Sequence, residues 1–509
     1  MNSGLYKRVL AILALIYIPN VNGQDLYNTY NHFNLLFESS NKVNPYYFSN
    51  NPAYLNYDGR DQLLSVKGSM KNEDGNFKEF FDPGKVRNYD LSFSGKKVLD
   101  SNQTFKGLFA IQRQERKDWN FLATKDYNTG SPFLLGDSTT GSTRYNGIFV
   151  NAQYSARLWQ SVLTGVSINY YVDEGLKEIS PRPTTEHRDI DVTAGFGYII
   201  NPNISAGFTL RVYDKNEKIT YAEDEGAVYT ETILFKIRGF DLPERNAKKT
   251  EVRYSYNNGY EGKIDGFYKN ENVSAVVFAG NTFEHITLKD NANSPESEGY
   301  WRNNSLSAGA EAMINFSRNL SAGCMYKFEN DDMWARHPVY NVLMNSSKGY
   351  EHKFGAGVQY GFNQDLTAGL ELSGSFRHIK YEDYYSDVFF SLDRLTLMPQ
   401  LGINYVWSKL LLTHAAVGYV KSDAGKFNFV DGTENSSFYN SFTSRDIDYI
   451  SADYDGMRYT FKAEINPGKF GMINLYATYL QINAGDNVSA LYNGRSDVQA
   501  TIEFKIKVY

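Results

Sequence analysis

The chain has 509 residues, 52 Lys+Arg against 58 Asp+Glu, and a single cysteine, Cys324. Forty Tyr, 33 Phe and five Trp make it rich in aromatics, yet the mean hydropathy is −0.48. Past residue 20 no apolar run reaches the roughly eighteen residues of a spanning helix, which excludes a helical membrane protein. One cysteine cannot build a disulfide framework or a thiolate metal site, and the absence of a basic patch argues against nucleic acid as a partner.

Taken in chain order, residues 1–23 come first. Lys7-Arg8 precedes the apolar run Val9–Ile18, followed by Pro19 and Val21-Asn22-Gly23. A basic start, a short apolar stretch and small or branched residues at the cut describe a secretory signal peptide. Residues 24–60 then form an N-terminal arm. In it Leu26, Tyr30, Phe33 and Phe37 fall near helical spacing, and Asn44-Pro45-Tyr46-Tyr47-Phe48 leads to Asn51-Pro52-Ala53. The arm is read either as an ordered periplasmic segment or as a hatch folded into a lumen, with Asn51, Pro52 and Ala53 as its candidate residues.

From residue 61 to 509 the texture is uniform, and its period is two. Ile190, Val192, Ala194, Phe196, Tyr198 and Ile200 alternate with Asp191, Thr193, Gly195 and Gly197. Runs ending at Leu158, Val212, Phe362, Leu372 and Ile465 repeat the pattern, as does the final run Val498–Tyr509. Strict alternation is the mark of a strand with one apolar face, and about ten residues suffice for a tilted strand to cross a bilayer. Several runs meet across two or three residues, as at Trp159-Gln160, Asn201-Pro202-Asn203, Asn363-Gln364 and Ser408-Lys409. Longer connections, near 117–142, 174–187, 332–348, 380–392 and 423–455, alternate with them. Such sorting by end predicts an all-β transmembrane antiparallel barrel with short periplasmic turns and long extracellular loops. Eighteen runs can be placed, so about 16–18 strands are expected, with fourteen possible. Residues 215–300 are the least regular part.

The inward parity is mostly Gly, Ser, Thr, Asn and Gln, with scattered charges. Arg157, Arg211, Lys353, Glu371, Arg377, Arg458, Lys462, Glu464, Glu503 and Lys505 fall on it. A charge facing lipid at mid-depth costs about 2–4 kcal/mol, so these side chains are expected to face the lumen. They would either tune a pore or brace its wall as ion pairs. The seven histidines (His32, His187, His285, His337, His352, His378 and His414) show no metal-binding spacing, and no nucleophile elbow or phosphate loop appears. No enzyme and no cofactor are therefore expected. His187, beside Arg188 and Asp189, is read as a rim ion pair. The acidic stretches Glu223-Asp224-Glu225 and Glu329–Asp332 are solvated loops or, less simply, bridges through divalent ions to lipopolysaccharide.

Two resemblances join this reading. Asn51-Pro52-Ala53 before the first strand resembles the N-terminal segment of the long-chain fatty acid transporter superfamily, in which that segment enters the barrel. Ser131-Pro132-Phe133-Leu134-Leu135-Gly136, with Asp173-Glu174-Gly175 and Ser180-Pro181-Arg182-Pro183, resembles an uncharacterised Bacteroidota outer-membrane barrel family over nearly the whole mature chain. Members of that family are often encoded near TonB-dependent receptors and surface lipoproteins. The resemblance implies an accessory role in uptake, with such a receptor or lipoprotein and the outer-membrane lipid as partners. The role expected is passage of small solutes, or failing that a closed barrel serving as scaffold for assembly or secretion.

Overall fold

The computed structural model describes residues 45–57, 63–127, 129–221, 233–239, 244–246, 251–291, 293–431, 444–466, 471–485 and 494–507. The expected signal peptide, residues 24–44 of the arm, Glu223-Asp224-Glu225 and terminal Tyr509 lie outside the described residues.

Twenty strands share one sheet, and eighteen of them are the staves of a closed barrel. The first seven are β1 (Leu63–Gly75), β2 (Lys85–Val98), β3 (Gln103–Leu122), β4 (Phe133–Trp159), β5 (Val162–Lys177), β6 (Thr184–Asn201) and β7 (Ile204–Tyr221). Two short strands, β8 (Leu234–Arg238) and β9 (Glu244–Asn246), stand apart from the wall. The wall resumes with β10 (Glu251–Lys269), β11 (Val273–Asp290), β12 (Glu296–Asn315), β13 (Leu320–Arg336), β14 (Leu343–Gly361) and β15 (Leu366–Asp383). It ends with β16 (Val388–Ser408), β17 (Leu411–Asp431), β18 (Tyr454–Ile465), β19 (Met472–Ala484) and β20 (Arg495–Lys507). Neighbours pair antiparallel, β7 pairs with β10 across the excursion, and β20 closes on β1 from Leu63↔Lys507 to Gly75↔Arg495. Closure leaves no unpaired edge in the wall, which a lipid-facing sheet requires.

The count is eighteen, so the fourteen- and sixteen-strand alternatives fall away. The outer face carries an apolar belt in which Leu64, Phe93, Ile111, Ile168, Leu210, Ile264, Leu370 and Ile403 are all exposed. A continuous apolar exterior this wide is far beyond the patches of soluble proteins. Trp159, Phe316, Phe362 and Trp407 stand exposed beside the short turns, where a ring with one apolar and one wet side sits well. This is the architecture of an outer-membrane barrel.

One expectation needs correcting. The connections read as long loops are largely strand: β3 runs to Leu122 and β4 starts at Phe133, leaving only 123–132 between them. Similarly, 174–187 shrinks to 178–183 and 380–392 to 384–387. About ten residues cross a bilayer, whereas β4 has 27 and β16 has 21. The hairpins therefore project into water beyond the belt. There both faces are polar and the alternation that reveals a strand fades.

Candidate functional site

Two internal structures occupy the barrel. The first is the segment 45–57, lying inside the wall. Pro45–Ser49 forms a short helix, α1, and Asn50 (φ 57°) ends it in the left-handed region that Asn tolerates. A 3-10 helix, Pro52–Tyr57, starts at once, with Pro at its first position. The Asn51 Oδ1 accepts the Ala53 N–H at 3.0 Å as its cap. The other end of the Asn51 amide reaches the wall: Nδ2 donates to the Phe196 carbonyl at 3.1 Å and to Asp265 Oδ2 at 3.2 Å. Ser155 Oγ donates to the Ala53 carbonyl at 2.9 Å. Ala53, Tyr54 and Leu55 are completely buried, with Leu163 and Tyr46 around them. Phe48 meets Phe278 edge-on at 5.2 Å between centroids.

The wall is shaped for this contact. Gly165, Gly195 and Gly207 lie in adjacent staves β5, β6 and β7, and Gly165↔Gly195 are direct register partners. A Cβ on Gly195 would fall 2.8 Å from the Pro52 ring and 3.0 Å from the Ala53 nitrogen. One on Gly207 would fall 2.7 Å from Asn51 Nδ2. The three glycines leave a trough one side chain deep, and Asn51-Pro52-Ala53 fills it.

The second structure reaches across the extracellular mouth. Residues 123–127 and 129–132 form a strap across the inner wall. Two bulges turn β3 inward before it, with Asp118 and Phe121 at positive φ. As a result, Trp119 and Leu122 become fully buried with Tyr145 and Ile237. Beyond the strap Phe133 packs under Ile286, Leu288 and Trp301 on the far wall. Strand β8 pairs with the start of β4, Leu134↔Ile237, and is pinned to the opposite wall by charge. Lys236 meets Asp290 at 2.9 Å, Arg238 meets Glu298 at 3.1 Å, and Arg253 binds Asp290 at 2.7 Å. On the other side Phe77 packs against Met398, Val420 and Tyr454, beside the helix α2 (Ser444–Ser451).

The strap is fastened at a row of three inward residues, Asp173, His187 and Glu217, directly opposed across β5, β6 and β7. They lie beyond the belt, because Arg188 and Asp214 already point outward at that height. Lys125 of the strap pairs with Asp173 and donates to Tyr171 Oη at 2.8 Å. Its backbone N–H donates to Glu217 Oε1 at 2.6 Å. His187 Nε2 meets Asp189 at 3.0 Å and Asp126 of the strap at 3.4 Å. Burial pulls the His187 imidazole down, but the bonds to Asp126 and Asp189 outweigh it and hold the ring at about 10, so it is a cation at neutral pH. Asp126 is exposed, and its bond to the His187 cation keeps the carboxyl well below the usual range. Glu217 is pushed up to about 7 by burial, against the opposing charge of His187. Between strap and wall remains a crevice of about 40 Å³, lined by Asp126, His187, Glu217 and Arg253. That is room for one or two waters.

The ten inward charges are distributed over the whole wall. Arg211 meets Asp191 at 2.5 Å and Glu261 at 3.4 Å. Lys353 meets Glu329 at 3.0 Å and Glu351 at 3.1 Å. Lys462 meets Glu464 at 2.8 Å, and Lys505 meets Glu503 at 3.1 Å. Glu371 is fully buried, with Gln400 as its partner in register and Arg458 two staves further on. Arg377 is half-buried, and Arg157 is exposed at the rim of the short turns. Asn51, Pro52 and Ala53 come together in the trough. Sequence reasoning missed Lys125, Asp173, Glu217 and Asp265, whose partners lie between 48 and 214 residues away. The inward glycines were visible, but only as small residues on a crowded face. Among the described residues no group of three or more His, Cys, Asp or Glu is placed to hold a metal ion.

Fold and interior together define a closed outer-membrane-type barrel with an internal segment and a strap at the mouth. The chain belongs to the family of unknown function DUF6850, whose model matches residues 52–506. None of the curated proteins matches it. Among solved structures it is similar to the siderophore receptor PiuA from Acinetobacter baumannii, at 9% identity and TM-score 0.38, covering 86% of this chain and 81% of that one. It is also similar to a TodX monoaromatic hydrocarbon channel mutant, at 11% identity and TM-score 0.33, covering 90% and 93%. The copper transporter OprC gives 7% identity and TM-score 0.40, covering 88% and 81%. Likeness at this level is one of outline alone.

Proposed function

We propose that this protein sits in the bacterial outer membrane and passes small solutes without chemical conversion, with segment 45–57 as its hatch. The observation that carries the reading is the docked segment itself. Its contacts are a few side-chain bonds and a glycine trough, not a strand pairing, so it is attached to the wall without belonging to it. The polar inward parity suits a water path once the segment leaves. An accessory role beside a TonB-dependent receptor rests on the resemblance of segments 131–136 and 173–183 alone. The second reading, a closed scaffold, is favoured by one feature, the apolar packing of Phe133 and Phe77 across the mouth.

Single-channel conductance in a planar bilayer separates the two. The intact protein is expected to be silent or to flicker, and deletion of residues 24–57 to give steady openings. Silence in both would reject solute passage and leave the scaffold. A steady, open intact protein would reject the hatch.

A further inference from the structure

We infer that the outer wall over β11–β13, just above the apolar belt, is a seat for the phosphorylated sugar head of an outer-leaflet glycolipid. The claim rests on the outer-membrane placement proposed above, but not on solute passage, so a conductance result of either sign leaves it standing.

Arg302, Trp334, Phe283 and Tyr300 share the outward face. Arg302 is the direct register partner of Trp334, and Arg336 that of Tyr300. The Arg302 guanidinium lies 4.4 Å from the Phe283 centroid and 5.9 Å from that of Trp334. Arg336 lies 5.1 Å from the same indole. Tyr300 and Trp334 are 5.5 Å apart, and His285, 6.0 Å from Phe283 and 6.2 Å from Tyr300, joins the rings into a shelf against which both guanidiniums lie. Among the described residues neither arginine has a carboxylate within salt-bridge distance. The nearest outward acid, Asp332, meets Lys348 at 3.8 Å.

Height selects the ligand. Leu306, four residues below Arg302 on the same stave and face, is half exposed and belongs to the belt. Two unpaired guanidiniums, four and six residues above Leu306 along the stave, stand beyond the hydrocarbon on the side where lipid head groups lie. Arginine binds phosphate through a planar fork, and an aromatic shelf beside it stacks well on the apolar face of a sugar. A soluble anion would need no position so close to the belt. A partner barrel would need an apolar match, and would not account for two charges left without partners.

The test uses the whole protein in detergent and measures retention of a phosphorylated disaccharide lipid by native mass spectrometry. Arg302→Gln with Arg336→Gln is expected to weaken retention at least tenfold. The dephosphorylated lipid is expected to bind the unaltered protein as weakly as the phosphorylated lipid binds the variant. Arg188→Gln, an outward arginine on β6, four staves round the wall from β12, is the control and is expected to change nothing. Equal retention by variant and unaltered protein would overturn the proposal, as would equal binding of both lipids. Complete competition by millimolar inorganic phosphate would reduce the seat to a simple anion site and overturn the assignment to lipid.

Discussion

At the scale of single residues, His187 illustrates how a barrel interior fixes a charge. Its folded value of about 10 lies above the free value near 6.5. Its stabilisation is therefore complete below about pH 6.5 and is lost as pH rises towards 10. Glu217 works in the same direction: raised to about 7, it disfavours the folded strap once pH passes its free value and the carboxyl ionises. Asp126, held low, gives stability above about pH 4 that is lost on further acidification. The strap is thus expected to be firmest near pH 4–5 and to loosen through neutrality into alkali. Melting temperatures recorded from pH 5 to 10 should fall, and His187→Gln should abolish the part of the fall above about pH 6.5. At pH 6 the same substitution should cost about 1.5 kcal/mol, because it leaves the partly exposed Asp189 and Asp126 facing each other without their cation. Calorimetry in detergent would measure it, and an unchanged profile would contradict the pairing.

At the scale of elements, the trough makes a sharper test of the hatch than any deletion. Gly195→Val places two methyl groups where the Pro52 ring and Ala53 nitrogen now sit, while the outer face of β6 is untouched. The barrel should form as before and conduct. A correctly folded variant that stays silent would mean that the segment is not what blocks the path. The staves themselves were legible, because lipid on one side and water on the other impose period two, as between Ile190 and Ile200. What the pattern did not reveal lies beyond the belt. From Asp214 to Lys218 every residue is polar and no face is distinguished, although β7 continues to Tyr221. The strap site was equally hidden. Lys125 and Asp173 meet only because bulges at 118 and 121 turn the chain inward, and nothing in local spacing announces a partner 48 residues on. The histidine was noticed, and its neighbour Asp189 is indeed its partner at 3.0 Å, but the strap carboxylate was not foreseen.

At the scale of the whole molecule, the two faces of the wall predict opposite tolerance. Leu370→Arg puts a charge on a half-exposed belt position and should cost about 2–4 kcal/mol in folding into lipid vesicles, read as loss of the heat-modifiable band. Thr367→Arg, on the inward parity of the same stave, should cost far less. Equal costs would mean that the belt does not contact lipid. The closing seam between β1 and β20 has a further consequence, which concerns order in time. The main contacts of segment 45–57 lie on the staves from β3 to β11, so its berth does not include the seam. The ring is sealed only when the last thirteen-residue stave arrives. If those staves pair before β1 meets β20, the berth exists on an open, curling ribbon and can be boarded from the side. After sealing, the only routes left are the two ends of the tube.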